Sequence, residues 1–169
     1  MRYTPVAAVL SLAIAVSSSM LHSQSVEALD PRATTLLGEG RASLASGNTG
    51  EAVDAFEAAL AVSPGSVTVL VALADAERAK GLQGKALHYY RVALEADPRN
   101  LAAIAGEGVA LAEKGATEKA NRNLARLQTL CGAQCVQARE VEAAIARGPQ
   151  VAQMAGAQEA TEKSEVSEN

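Results

Sequence analysis

The sequence predicts an all-α protein, a solenoid of three stacked helix pairs closed by one further helix, and three observations predict it. Set against itself with a shift of 34 residues, the chain aligns without insertion or deletion over residues 33–134. Within each period, apolar and small residues recur at the spacing of one helix face. A glycine stands in every period where the two helices of a pair must turn.

The register rests on seven columns. Gly47, Gly81 and Gly115 fall together, as do Ala52, Ala86 and Ala120. Phe56, Tyr90 and Leu124 form a third column, and Ala59, Ala93 and Leu127 a fourth. Leu36, Leu70 and Ile104 align, and so do Gly40, Ala74 and Gly108. Pro64 and Pro98 share the last column with Gly132. The units are therefore 33–66, 67–100 and 101–134. In the second, Val67, Leu70, Val71, Leu73 and Ala74 mark a helix over 67–80. Ala86, Leu87, Tyr90, Ala93 and Leu94 mark its partner over 84–96. The proline column ends the second helix, because the residue before proline is driven out of the α region. Ser66 and Asn100 then stand where the next helix needs an N-cap. Small side chains in the alanine columns let neighbouring helices approach, and the Phe56, Tyr90, Leu124 column fills the space beside them. One helix pair cannot bury its apolar face, whereas three stacked pairs can.

These residues resemble the tetratricopeptide repeat (TPR), a 34-residue helix–turn–helix unit. Leu36, Gly40, Ala52, Phe56 and Pro64 carry the pattern in the first unit, and Leu70, Ala74, Ala86, Tyr90 and Pro98 in the second. The third unit departs from it, with Leu124 for the aromatic and Gly132 for the proline, as a terminal repeat does. The family's usual tryptophan is Leu36, Leu70 and Ile104, and its first-helix tyrosine is Ser43, Glu77 and Leu111. The resemblance implies a right-handed α-solenoid.

After the repeats, residues 135–147 read as a capping helix with Cys135, Ala138, Val141 and Ile145 as its apolar stripe. Gly148 and Pro149 stop it. Residues 148–169 carry four glutamates against one lysine and no helical periodicity, which predicts a disordered acidic tail. At the other end, residues 1–28 have the layout of a secretory signal peptide: Arg2 and the amine, an apolar stretch of 11 residues over 6–16, then a polar segment ending in Val26-Glu27-Ala28. Cleavage is expected after Ala28, with Ser25 as the second site, and an uncleaved anchor is the alternative. The layout is in the style of a protein exported to a bacterial periplasm.

Composition narrows the function. Fifteen basic residues against 19 acidic ones leave a formal charge of −4, so there is no electrostatic case for nucleic acid. Aromatics are 2% of the chain, which removes base-stacking and sugar-binding platforms. No nucleophile elbow, phosphate-binding loop or H-E-x-x-H helix is present, and the reading is of a protein that is not an enzyme and carries no cofactor or metal. Gly38-Glu39-Gly40 and Gly106-Glu107-Gly108 lie in the repeat register as helix-packing glycines. His88 has no partner at metal-ligand spacing and reads as a surface or half-buried residue.

Cys131 and Cys135 flank Gly132, where the last repeat helix ends and the cap begins. In an oxidising compartment an even count of cysteines indicates a disulfide, and a chain break at Gly132 lets the two sulfurs meet. A structural bridge pinning cap to repeat is expected. A small redox protein using the same pair is the lesser alternative, since the spacing is C-x3-C and no βαβ pattern surrounds it.

In stacks of the TPR family the first helix of each unit lines a concave groove that receives a peptide or helix. The resemblance implies that lining here as Leu37, Arg41 and Leu44, then Val71, Asp75 and Arg78, then Ala105, Val109 and Glu113. Leu37, Ala72, Ala102 and Gly106 stand where the co-chaperone version of the family uses polar residues to grip a peptide carboxylate. A partner helix with an apolar stripe fits this lining better. The expectation is a non-catalytic scaffold of the cell envelope that binds another protein within an assembly complex. Self-association into homo-oligomers is the rival reading.

Overall fold

The computed structural model describes residues 29–149. The expected signal peptide and the tail from residue 150 onward lie outside the described residues. Among those described there are seven helices and no strand: α1 (Pro31–Ala45), α2 (Thr49–Val62), α3 (Val67–Ala79), α4 (Gln83–Ala96), α5 (Leu101–Glu113), α6 (Thr117–Cys131) and α7 (Val136–Arg147). They stack in chain order as an all-α solenoid, each helix lying against the next. No described helix is long and apolar enough to cross a membrane.

The glycine column makes the turn inside each pair. Gly47, Gly81 and Gly115 have φ of +83°, +79° and +79°, a left-handed backbone that a Cβ would oppose. Proline acts after the second helix of the first two units, where α2 stops at Val62 before Pro64 and α4 at Ala96 before Pro98. Gly132 replaces it in the third unit at φ +85°.

The two expected N-caps behave differently. The Asn100 side chain accepts a hydrogen bond from the Ala103 amide at 3.0 Å. Ser66 occupies the cap position of α3 and makes no side-chain cap bond. Asp30 caps α1 by accepting from the Arg32 amide at 2.7 Å, a cap outside the repeat columns. Asn100→Ala should therefore cost about 1 kcal/mol in a urea melt, and Ser66→Ala only a few tenths.

The core follows the columns. Ala52, Ala86 and Ala120 are fully buried, and so are Phe56, Tyr90, Ala59, Ala93 and Leu127. Each aromatic ring needs one glycine, and the two units place it on opposite sides. A Cβ on Gly40, in the first helix of the same unit, would stand 2.4 Å from the Phe56 ring. A Cβ on Gly106, in the first helix of the next unit, would stand 2.3 Å from the Tyr90 ring. In the second unit both positions are alanine, Ala74 where the first unit has Gly40 and Ala72 where the third has Gly106. Glu77 is buried as well, with Lys85 Nζ 3.3 Å from its Oε1 and no partner for Oε2 among the described residues.

Helix α7 buries Ala138, Val141 and Ala144, with Ile145 packed partly against the same cluster. A Cβ on Gly108 would come 3.0 Å from both γ-methyls of Val141, so that glycine admits the cap.

Candidate binding groove

The first helices α1, α3 and α5 present a surface with two cavities joined at Asp75. The first, about 340 Å³, is lined by Arg41, Leu44, Phe56, Val67, Thr68, Val71, Ala72, Asp75, Asn100 and Ala102. Its floor is apolar, and Arg41 is exposed at its rim with no hydrogen bond or ion pair among the described residues. The second, about 470 Å³, is lined by Asp75, Arg78, Val109, Glu140, Ala143 and Arg147. It is the more polar of the two, and half its lining comes from α7.

Two part-buried polar contacts order the junction. The Tyr90 hydroxyl, from the second helix of its unit, donates to Asp75 Oδ1 at 2.5 Å. Gly106 leaves room for it, since a Cβ there would stand 2.6 Å from the hydroxyl oxygen. Arg78 Nη1 donates to Glu113 Oε1 at 2.9 Å, tying the second unit to the third. Arg78 Nε and Glu113 Oε2 have no partner among the described residues. Away from the cavities, Arg91 pairs with Glu107 at 3.2 Å on a more exposed edge, where Asn123 also donates to Glu107 at 2.9 Å.

Burial raises the Asp75 pKa above its ordinary value, against the lowering effects of the Tyr90 hydrogen bond and the Arg78 charge. A carboxylate with a raised folded pKa favours the fold below its unfolded pKa, and that contribution is lost as pH rises through the folded value. Asp75→Asn, which keeps an acceptor for Tyr90, should thus raise stability near pH 7. The gain should shrink as pH falls toward 4. Urea melts of both proteins across that range check it. Burial first, and then the Asp75 charge and hydrogen bond, push the Tyr90 phenol up, against the lowering effect of Arg78. Tyr90 therefore stays a proton donor throughout the neutral range.

The residues expected to line the groove separate into two sets. Arg41, Leu44, Val71 and Asp75 border the first cavity, and Arg78 and Val109 border the second. Leu37, Ala105 and Glu113 are buried within the stack and border neither. Leu37 joins the cluster of Ala33, Phe56 and Leu73, Ala105 joins that of Ile104 and Tyr90, and Glu113 is turned inward by its pair with Arg78. Phe56, Val67 and Asn100, and the α7 residues Glu140, Ala143 and Arg147, border the cavities and were not expected there. Phe56 is a repeat-column residue whose sequence signal is that of core. Glu140, Ala143 and Arg147 share one helical face at i, i+3, i+7 spacing, beside the buried stripe, but only the seating of α7 turns that face toward α3.

Cys131 and Cys135 stand at disulfide distance across the α6–α7 turn, their Cα atoms 5.8 Å apart. His88 is exposed and makes an edge contact with Tyr89, ring centroids 5.3 Å apart. Among the described residues no three His, Cys, Asp or Glu side chains converge as a metal site would need.

Residues 37–100 match the tetratricopeptide repeat family. The match spans the first two units, where the aromatic and proline columns are complete. The fold is that of a TPR solenoid, and TPR units are in general protein-interaction modules. The TPR domain of Sgt2 from Aspergillus fumigatus is similar at a TM-score of 0.64 and 23% identity, over 70% of this chain and 80% of that one. The first TPR of Spaghetti (RPAP3), bound to the HSP90 peptide SRMEEVD, is similar at 0.60 and 19% identity, over 68% and 94%. So is the Yersinia enterocolitica type III secretion chaperone SycD in complex with a peptide of the translocator YopD, at 0.59 and 19%, over 68% and 89%. No curated protein sequence matches the chain.

Proposed function

We propose that this protein is a non-catalytic adaptor that takes an apolar segment of a partner protein into the cavity between its first two TPR units. The observation that carries the reading is that cavity. It is open, its floor is Leu44, Phe56, Val67 and Val71, and its charged residues are the exposed Arg41 and the Tyr90-bonded Asp75. A partner side chain entering it gains apolar burial against a preformed wall, and Arg41, free at the rim, is placed to fix its orientation. Two similar folds hold peptides of other proteins, an HSP90 peptide and a YopD peptide, which supports a peptide as the occupant. The layout of residues 1–28 supports export, and with it a partner in the bacterial cell envelope.

Affinity capture with crosslinking from envelope extract tests the reading, using the wild-type protein beside an Arg41→Ala, Val71→Gln variant. Both substitutions lie on the cavity wall and leave the buried ion pair of Arg78 intact. A partner held by wild type and lost by the variant is the expected result. A partner held equally by both moves the binding surface off the groove. Recovery of the chain alone, together with a dimer mass in light scattering, transfers the function to self-association.

A further inference from the structure

Helix α7 departs from the packing that the repeats set. Of the two helices in the unit before them, α3 and α5 lie chiefly against the second, whereas α7 leans more on α5, the first helix of the third unit, than on α6. Seated so, it covers Gly108 through Val141 and walls the second cavity beside Val109. Its hold is narrow, for Val141 is the one large side chain among its buried residues. As the last described helix it has a repeat neighbour on one side only. The chain enters it through Gly132 at φ +85°, and the two cysteines face each other across that turn.

We propose that α7 is a displaceable lid over the third unit, and that a Cys131–Cys135 disulfide is its latch. A dithiol reductant opens the latch by supplying two electrons and two protons. The S–S bond breaks, two thiols remain on the chain, and the reductant closes into its own disulfide. Freed of the short loop constraint, the lid equilibrium moves toward the open state by about thirtyfold. Once open, α5 presents Gly108 and Val109 beside Asp75 and Arg78, and the groove extends from the first two units into the third. The lid goes beyond the peptide-binding reading and is visible without any partner.

Amide hydrogen exchange on the full chain tests it, comparing oxidised protein, protein treated with dithiothreitol, and a Cys131→Ser, Cys135→Ser variant. Exchange across residues 136–147 should rise about thirtyfold on reduction while α3 and α4 keep their protection. The double-serine variant should match reduced wild type and ignore dithiothreitol. Equal protection of α7 in oxidised and reduced protein overturns the proposal. A uniform loss across all helices overturns it too, since the bond would then support the whole stack. Two titratable thiols in the unreduced protein remove the latch itself.

Discussion

Gly106→Ala should destabilise the protein by about 2 kcal/mol, although alanine is the better helix former. The propensity gain is about 1 kcal/mol in a helix interior. Against it stands a methyl placed 2.3 Å from two atoms of the Tyr90 ring and 2.6 Å from its hydroxyl oxygen. Tyr90 is fully buried and tied to Asp75, so the ring cannot swing clear without breaking that bond. Overpacking of this kind costs about 1–3 kcal/mol or more, and here two rigid groups meet. Gly38→Ala is the control with the opposite sign: a Cβ there meets nothing within 4 Å, and the helix should gain about 0.5–1 kcal/mol. The first unit indicates the remedy. Phe56 lies beside Ala72 and takes its glycine from Gly40 instead. Gly106→Ala combined with Tyr90→Phe and Ala74→Gly reproduces that arrangement and should recover most of the loss. Chemical denaturation of the four proteins decides it, and a triple variant no better than the single one would show that the two joints are not interchangeable.

Arg78→Ala should cost about 2–3 kcal/mol, far more than Arg41→Ala on the same face. Removing one partner of a buried pair leaves the other charge without compensation. Glu113 is that partner: its side chain is 6% exposed and its second oxygen already lacks a bond. The Arg78 side chain is 31% exposed, so water screens part of the effect and the loss falls below that of a fully buried pair. Arg41 has no such tie, and its alanine variant should stay within about 0.5 kcal/mol of wild type. Arg78→Met with Glu113→Leu replaces the pair by apolar groups of similar size and should be close to neutral. If the double variant loses as much as Arg78→Ala alone, the ion pair is a net stabiliser rather than a balanced one.

Much of this protein was legible along the chain because repeats are built from local rules. A left-handed turn selects glycine, a helix stop selects proline, and a close helix crossing selects alanine, so each feature leaves its residue at a fixed place in the period. The turns at Gly47, Gly81 and Gly115, the cap at Asn100 and the break at Gly132 are all of this kind. The site was less legible. Position in the repeat placed Leu37, Ala105 and Glu113 on the concave side, yet the stack buries all three. Whether a side chain there faces solvent depends on how far each unit rotates against the next, which no single helix encodes. Glu113 turns inward because Arg78, 35 residues earlier, offers it a cation. Tyr90 leans forward onto Gly106 while Phe56 leans back onto Gly40, a choice made by volumes contributed from different units. The sequence by itself determined the repeat, its turns and its helices. The tertiary structure alone decided which part of the concave face stays open, because the seating of α7 on Gly108 and the ion pair across units arise from contacts between residues far apart in the chain.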